Sequence, residues 1–107
     1  MSLLTIDTAQ LLDSSTAGSA AAKVLTDRWE AAASKSDAEK QALLAELQVL
    51  RDSLRRQLLE RAQPVIAEIA KKKKATAVLD KAAVVFGTLE DITDAVMARV
   101  DAQGPLK

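Results

Sequence analysis

The 107 residues give room for one domain, and Ala and Leu rather than aromatic residues carry the hydrophobicity: 49% of the chain is apolar, with one Trp and one Phe. The 15 Lys and Arg balance 15 Asp and Glu, so no global field draws the protein to nucleic acid or to an acidic membrane, and such binding would need a local patch. The absence of His, Cys and Tyr removes imidazole, thiol and phenol chemistry and most transition-metal sites, so no enzyme activity and no cofactor are expected.

Leu3-Leu4-Thr5-Ile6-Asp7 is a short apolar segment that reads as a strand in need of a sheet. Thr8 to Ser15, with Leu11 and Leu12, reads as a short helix, and Ser14-Ser15-Thr16 with Gly18 nearby predicts a bend after it. From Ala17 on, Gly18, Ala22, Leu25, Trp29 and Ala32 recur at alternating steps of four and three and share one helix face. Ala33-Ser34-Lys35-Ser36 interrupts this helix, and Ser36 followed by Glu39 has the capping-box pattern of a new start. These signals predict an antiparallel helical hairpin with its tip near residues 34–37.

The second arm, Asp37 to about Lys73, would be roughly 55 Å long at about 1.5 Å per residue. Leu47, Leu50, Leu54, Leu58, Ala62, Val65 and Ile69 follow an eleven-residue repeat, which winds little or slightly right-handed. Pro64 inside this arm predicts a kink or a helix restart. Lys71 to Lys74 reads as a solvated helix end whose cations complement the dipole, rather than as an anion-binding patch.

Two Val-rich runs around Asp80-Lys81 then suggest a β-hairpin, although that pair lacks the Gly a tight turn prefers, so the turn would be longer or irregular. Thr88, Asp91 and Asp94 surround a helix start, Ile92, Val96 and Val100 form its apolar stripe, and Gly104-Pro105 ends it. Glu90, Asp91 and Asp94 could be drawn as a carboxylate site, but capping and the helix dipole explain their clustering and no partner acid–base group is evident.

The expected fold class is α+β and mostly α: a long antiparallel helical coiled-coil hairpin on a small β body. Residues 1–107 form a single domain, with the body from 3–15 and 75–102 and the arm from 16–74. Three short strands are marginal alone, whereas copies from several protomers could close into a barrel-like body without exposed edges. Ile6, Val78, Leu79, Val84, Val85, Phe86, Ile92 and Val96 are the candidates for that oligomerisation body. On the arm, Leu43, Leu44, Val49 and Leu59 lie beside the seam, either free for weak apolar contact with a client or packed between arms. Trp29 could also touch a client, but its place on the first seam favours packing within the hairpin. No stretch of about 18 apolar residues predicts a membrane span.

Three stretches, Gln63-Pro64-Val65-Ile66-Ala67-Glu68-Ile69, Ala77 to Phe86 and Asp91-Ile92-Thr93-Asp94-Ala95-Val96, resemble in order and spacing the end of Skp/OmpH proteins. Ile6 to Ser15 followed by Gly18 resembles that family's first strand and its entry to the first arm. The resemblance spans essentially the whole chain. It implies a homotrimer with a β-barrel-like body and three helical tentacles around a cavity. It also implies ATP-independent protection of unfolded outer-membrane proteins in the periplasm, without nucleic acid as a partner and without stable membrane insertion. No charged start followed by an apolar run opens the chain, so an exported protein would already have lost its signal peptide. The chain departs from the best-known members in its shorter arms and neutral charge, and it has no cluster matching the lipopolysaccharide site proposed in some of them. The alternative function is a structural or adaptor coiled coil that recognises one folded partner, which breadth of client binding would distinguish from a holdase.

Overall fold

A computed structural model of the chain describes residues 2–104 and 106. The first strand, β1 (Leu3–Ile6), is the middle strand of a three-stranded sheet. Leu4, Thr5 and Ile6 are buried in succession rather than alternately, as expected of a strand covered on both faces. Its neighbours are β2 (Ala77–Asp80) and β3 (Glu90–Asp91), both parallel to it. Leu4 stands opposite Val78 and Glu90, and Thr5 opposite Leu79 and Asp91.

The expected β-hairpin is therefore corrected. Val84-Val85-Phe86 forms no strand, and β2 pairs with β1 instead of with the residues that follow it. The cause lies at Asp80, whose carboxylate accepts a hydrogen bond from the Ala82 amide at 3.3 Å and caps a 3-10 turn over Lys81–Ala83. Without a glycine to adopt the left-handed conformation of a tight hairpin, the chain turns away and crosses to the other side of β1.

The helices follow their local signals closely. Asp7 caps α1 (Thr8–Ser14) by accepting from the Gln10 amide at 3.0 Å, and Ser15 ends it while capping α2 (Thr16–Glu30) through the Gly18 amide, also at 3.0 Å. A turn over residues 31–36 leads into α3 (Asp37–Lys72), capped by Ser36, so the tip lies slightly earlier than its composition predicts. Pro64 sits inside α3 on an exposed position and the helix runs unbroken through it, which excludes a restart. The final helix, α4 (Thr93–Asp101), buries Val96 and Val100 completely.

The seam of α3 is where sequence and packing agree best: Leu47, Leu54, Leu58, Ala62, Val65 and Ile69 are all buried and Leu50 is half-buried. Leu58, Ala62, Val65 and Ile69 join Leu4, Ile6, Leu11, Ala17, Ile92, Val96 and Val100 in one core. The basal half of α3 thus packs on the sheet and α4, while its first half runs out beside α2. Extents of 57 × 30 × 16 Å and a radius of gyration of 16.9 Å, against about 13 Å for a compact domain of this length, describe a body with a projecting arm.

The end of α3 carries a local strain that composition does not advertise. The Ala75 amide reaches back to the Ala70 carbonyl at 2.8 Å and the Lys74 amide to Lys71 at 3.2 Å, a Schellman closure that puts Lys74 at φ +55°. A Cβ in that region is unfavourable, so Lys74→Gly should raise stability by about 0.5–1 kcal/mol after the extra freedom of glycine in the unfolded chain is subtracted. Urea denaturation of the two proteins under identical conditions checks this.

Candidate functional site

The eight residues proposed for the body separate into two groups. Ile6, Ile92 and Val96 are 6%, 2% and 0% exposed, filling the core of this chain rather than its surface. Val78 is half-buried against that core and Val84 is half-buried in the connection between β2 and β3. Leu79 is 37% exposed on the outer strand β2, and Val85 and Phe86 are 98% and 97% exposed. Val85 and Phe86 are thus two adjacent large apolar side chains that stay exposed in the connection between β2 and β3.

On the arm, the five candidate contact residues do not converge on one pocket. Val49 is the most exposed at 70%, Leu44, Trp29 and Leu59 are partly exposed, and Leu43 is half-buried. Trp29 stands near the tip beside Glu30, Ala33 and Lys40, where α2 and the start of α3 enclose a shallow hollow, so the seam covers it only in part. Ala22, on the same predicted seam, is exposed, whereas Gly18 and Ala32 at its two ends are buried.

A groove between α2 and α3 joins seam residues to Ala20, Ala21, Val24 and Arg28, which the sequence reading passes over. Its floor includes Ala21, Leu25, Leu54 and Leu58, and it continues along Ala17, Ala20 and Val24 towards Arg28. The signal was present in the spacing: Ala17, Ala20, Ala21, Val24 and Arg28 form a second helical stripe beside the first. Apolar surface on the arm is thus spread over two faces rather than gathered in a fixed cavity.

The charged groups take structural roles. Lys71 and Lys72 lie in the last turn of α3, where Lys72 pairs with Glu68 at 3.3 Å, and Lys73 pairs with Glu90 at 2.5 Å. Arg99 approaches Glu68 at 2.7 Å, and this hydrogen bond, with a second from Lys72, holds the Glu68 carboxyl below the usual carboxylate range. Asp91 is likewise lowered, first by the Thr93 hydroxyl and then by the Thr93 amide at 2.8 Å. The Thr93 hydroxyl in turn accepts from the Asp7 amide at 2.8 Å, tying the start of α1 to the start of α4.

A general acid near neutral pH needs a raised pKa, whereas the Asp91 carboxyl is lowered. Among the described residues no cluster of three or more acidic or metal-binding side chains could hold a metal ion. Nor is any helix among the described residues long and apolar enough to cross a membrane.

No curated protein matches the chain. The family model described as outer membrane protein (OmpH-like) matches residues 35–100, more than half of the chain, from the tip turn through α3 and both outer strands into α4. The parallel sheet, the long helix and the closing helix lie within or join that stretch, and on this match the chain belongs to the OmpH-like, or Skp/OmpH, family.

Proposed function

We propose that the protein is an ATP-independent holdase of the periplasm, which binds unfolded outer-membrane proteins between helical arms projecting from a homotrimeric body. Membership of a family of Skp/OmpH-type periplasmic chaperones supports the class. The observation that carries the mechanism is the distribution of apolar surface: Val24, Trp29, Leu44, Val49 and Leu59 stay exposed on the arm without sharing one pocket. Such a surface makes many weak, replaceable contacts, each contributing the transfer of a small apolar area, and it does not require one client shape. No nucleotide enters this cycle, since shielding a client needs only binding and release.

Assembly supplies the second half of the reading. The sheet is short and open at β2 and β3, and Val85 and Phe86 beside it have no cover within the chain. Association through that surface would protect the edges and hold several arms around one space, where a client meets more than one arm at once. Outer-membrane proteins are the substrate class because their alternating strands are apolar on one face and aggregate in water until inserted.

A light-scattering titration tests this function. A urea-unfolded outer-membrane β-barrel protein is diluted into buffer with rising amounts of the protein, whose oligomeric mass is measured in parallel. Aggregation should be suppressed and the effect should saturate at a fixed ratio of client to oligomer. Unchanged aggregation beside an intact oligomer would reject the holdase and favour an adaptor that recognises a folded partner.

A further inference from the structure

The described residues after α4, 102–104 and 106, lie on the molecule and, with Asp101, tie three parts of the arm's root together. The Gln103 and Gly104 amides bond to the Val100 and Asp101 carbonyls at 3.0 and 3.3 Å, and Gly104 at φ +86° redirects the chain through a conformation that a Cβ opposes. Asp101 Oδ1 accepts from the Thr16 amide at 3.0 Å and the Ala17 amide at 3.5 Å, the first donors of α2, where a negative charge complements the helix dipole. Arg61 of α3 donates to the Gly104 carbonyl at 2.6 Å. Leu106 lines the groove between α2 and α3, beside Ala17, Val24, Leu50 and Leu54, and packs against the core.

These contacts come from different elements and converge on one place. The break at Ser15 is where the arm would pivot relative to α1, since across it run only local bonds, the Gly18 amide to Ser15 Oγ at 3.0 Å and the Ser19 hydroxyl to the Asp13 carbonyl at 3.1 Å. The contacts of Asp101 and Gly104 span that break from outside, joining the start of α2 to α4 and to the basal part of α3. Leu106 covers apolar groove surface that would otherwise face water.

We propose that Asp101, Gly104 and Leu106 form a strap that locks the arm to the body, with Leu106 as a plug that covers part of the groove between α2 and α3 and competes with clients for it. The plug's effect on clients rests on the holdase reading, whereas the lock does not. An unfolded chain with apolar side chains would compete with Leu106 for the same surface, so client binding and strap release would be coupled.

The test uses the full chain carrying Leu106→Asp, with Leu106→Met as the conservative control. Amide hydrogen exchange over residues 16–25 should accelerate about tenfold, and fluorescence of a dye that reports apolar surface should rise about twofold, while Val96 and Val100 keep their protection. Leu106→Met should behave as the parent. Asp101→Asn should accelerate exchange at Thr16 and Ala17 without increasing dye binding. Unchanged exchange and dye signal in Leu106→Asp would overturn the strap, as would uniform acceleration that includes α4, because Leu106 would then be an ordinary core residue. With the strap upheld by exchange, Leu106→Asp should also protect clients at a lower dose; no gain in protection from a chain that does suppress aggregation would overturn the plug. Failure of the parent chain to suppress aggregation strikes the holdase reading alone.

Discussion

Gly18→Ala should destabilise the protein by about 3 kcal/mol, more than its modest chemistry suggests. Gly18 lies in the first turn of α2, where the chain has just folded back from α1. A Cβ there would sit 1.9 Å from the Leu12 carbonyl oxygen, 2.8 Å from its carbon and 2.9 Å from Ser15 Oγ. Two of those atoms are backbone and cannot rotate aside, so α1 and α2 would have to separate. Separation strips packing from Leu11 and Ala17, which the core holds 1% and 4% exposed. The gain in helix propensity from Gly to Ala, about 1 kcal/mol, opposes this but is smaller. A lowered urea midpoint with an unchanged slope is the expected result, and a midpoint equal to the parent's would show that the junction tolerates a methyl group. Ala20→Gly, on an exposed position of the same helix, is the reference and should cost about 1 kcal/mol.

Val96→Asp and Phe86→Asp should separate the core from the assembly surface. Val96 is 0% exposed among the residues that join α4 to the sheet and α3. A carboxylate there has no partner, and the cost, above about 4 kcal/mol, approaches the whole stability of a small domain. The expected result is loss of cooperative unfolding and of much of the helical circular dichroism. Phe86, 97% exposed, contributes little to the fold of the single chain, so Phe86→Asp should leave that fold intact, within about 0.5 kcal/mol. On the proposed assembly its charge would meet its own copies in an apolar contact and dissociate the oligomer. Size exclusion with light scattering reads the outcome: a folded chain of monomer mass supports assembly through this surface, and an unchanged oligomer removes Phe86 from it. Ile92, 2% exposed, belongs with Val96 in this comparison, so a charge placed at either position reports on folding before it reports on association.

The contrast explains how much of the candidate site was legible beforehand. Leu43, Leu44, Val49 and Leu59 were named as apolar positions beside the main seam and Trp29 as one on the first seam; Val49, Leu44, Trp29 and Leu59 are at least partly exposed and Leu43 is half-buried. Val24 escaped because alanines dominate its stripe and carry little apolar weight individually. The body residues could not be divided into interior and surface from their types: Val96 and Val85 are the same side chain, one 0% and the other 98% exposed. Only the path of the chain after Asp80 distinguishes them.

The sequence by itself determined the elements whose stabilising contacts are local or strictly periodic. The Ser15 and Ser36 caps bond to amides three residues on, and the eleven-residue stripe from Leu47 to Ile69 places one face of α3 inward whatever it meets there. The tertiary structure alone decided the parallel pairing of β1 with two strands more than 70 residues away, the close approach of the Leu12 carbonyl to Gly18, and the return of Leu106 to the groove. These features depend on which surfaces become neighbours after the hairpin closes. A short strand carries no signal of its partner's direction, and a glycine does not reveal what presses against it until the backbone on the other side is in place.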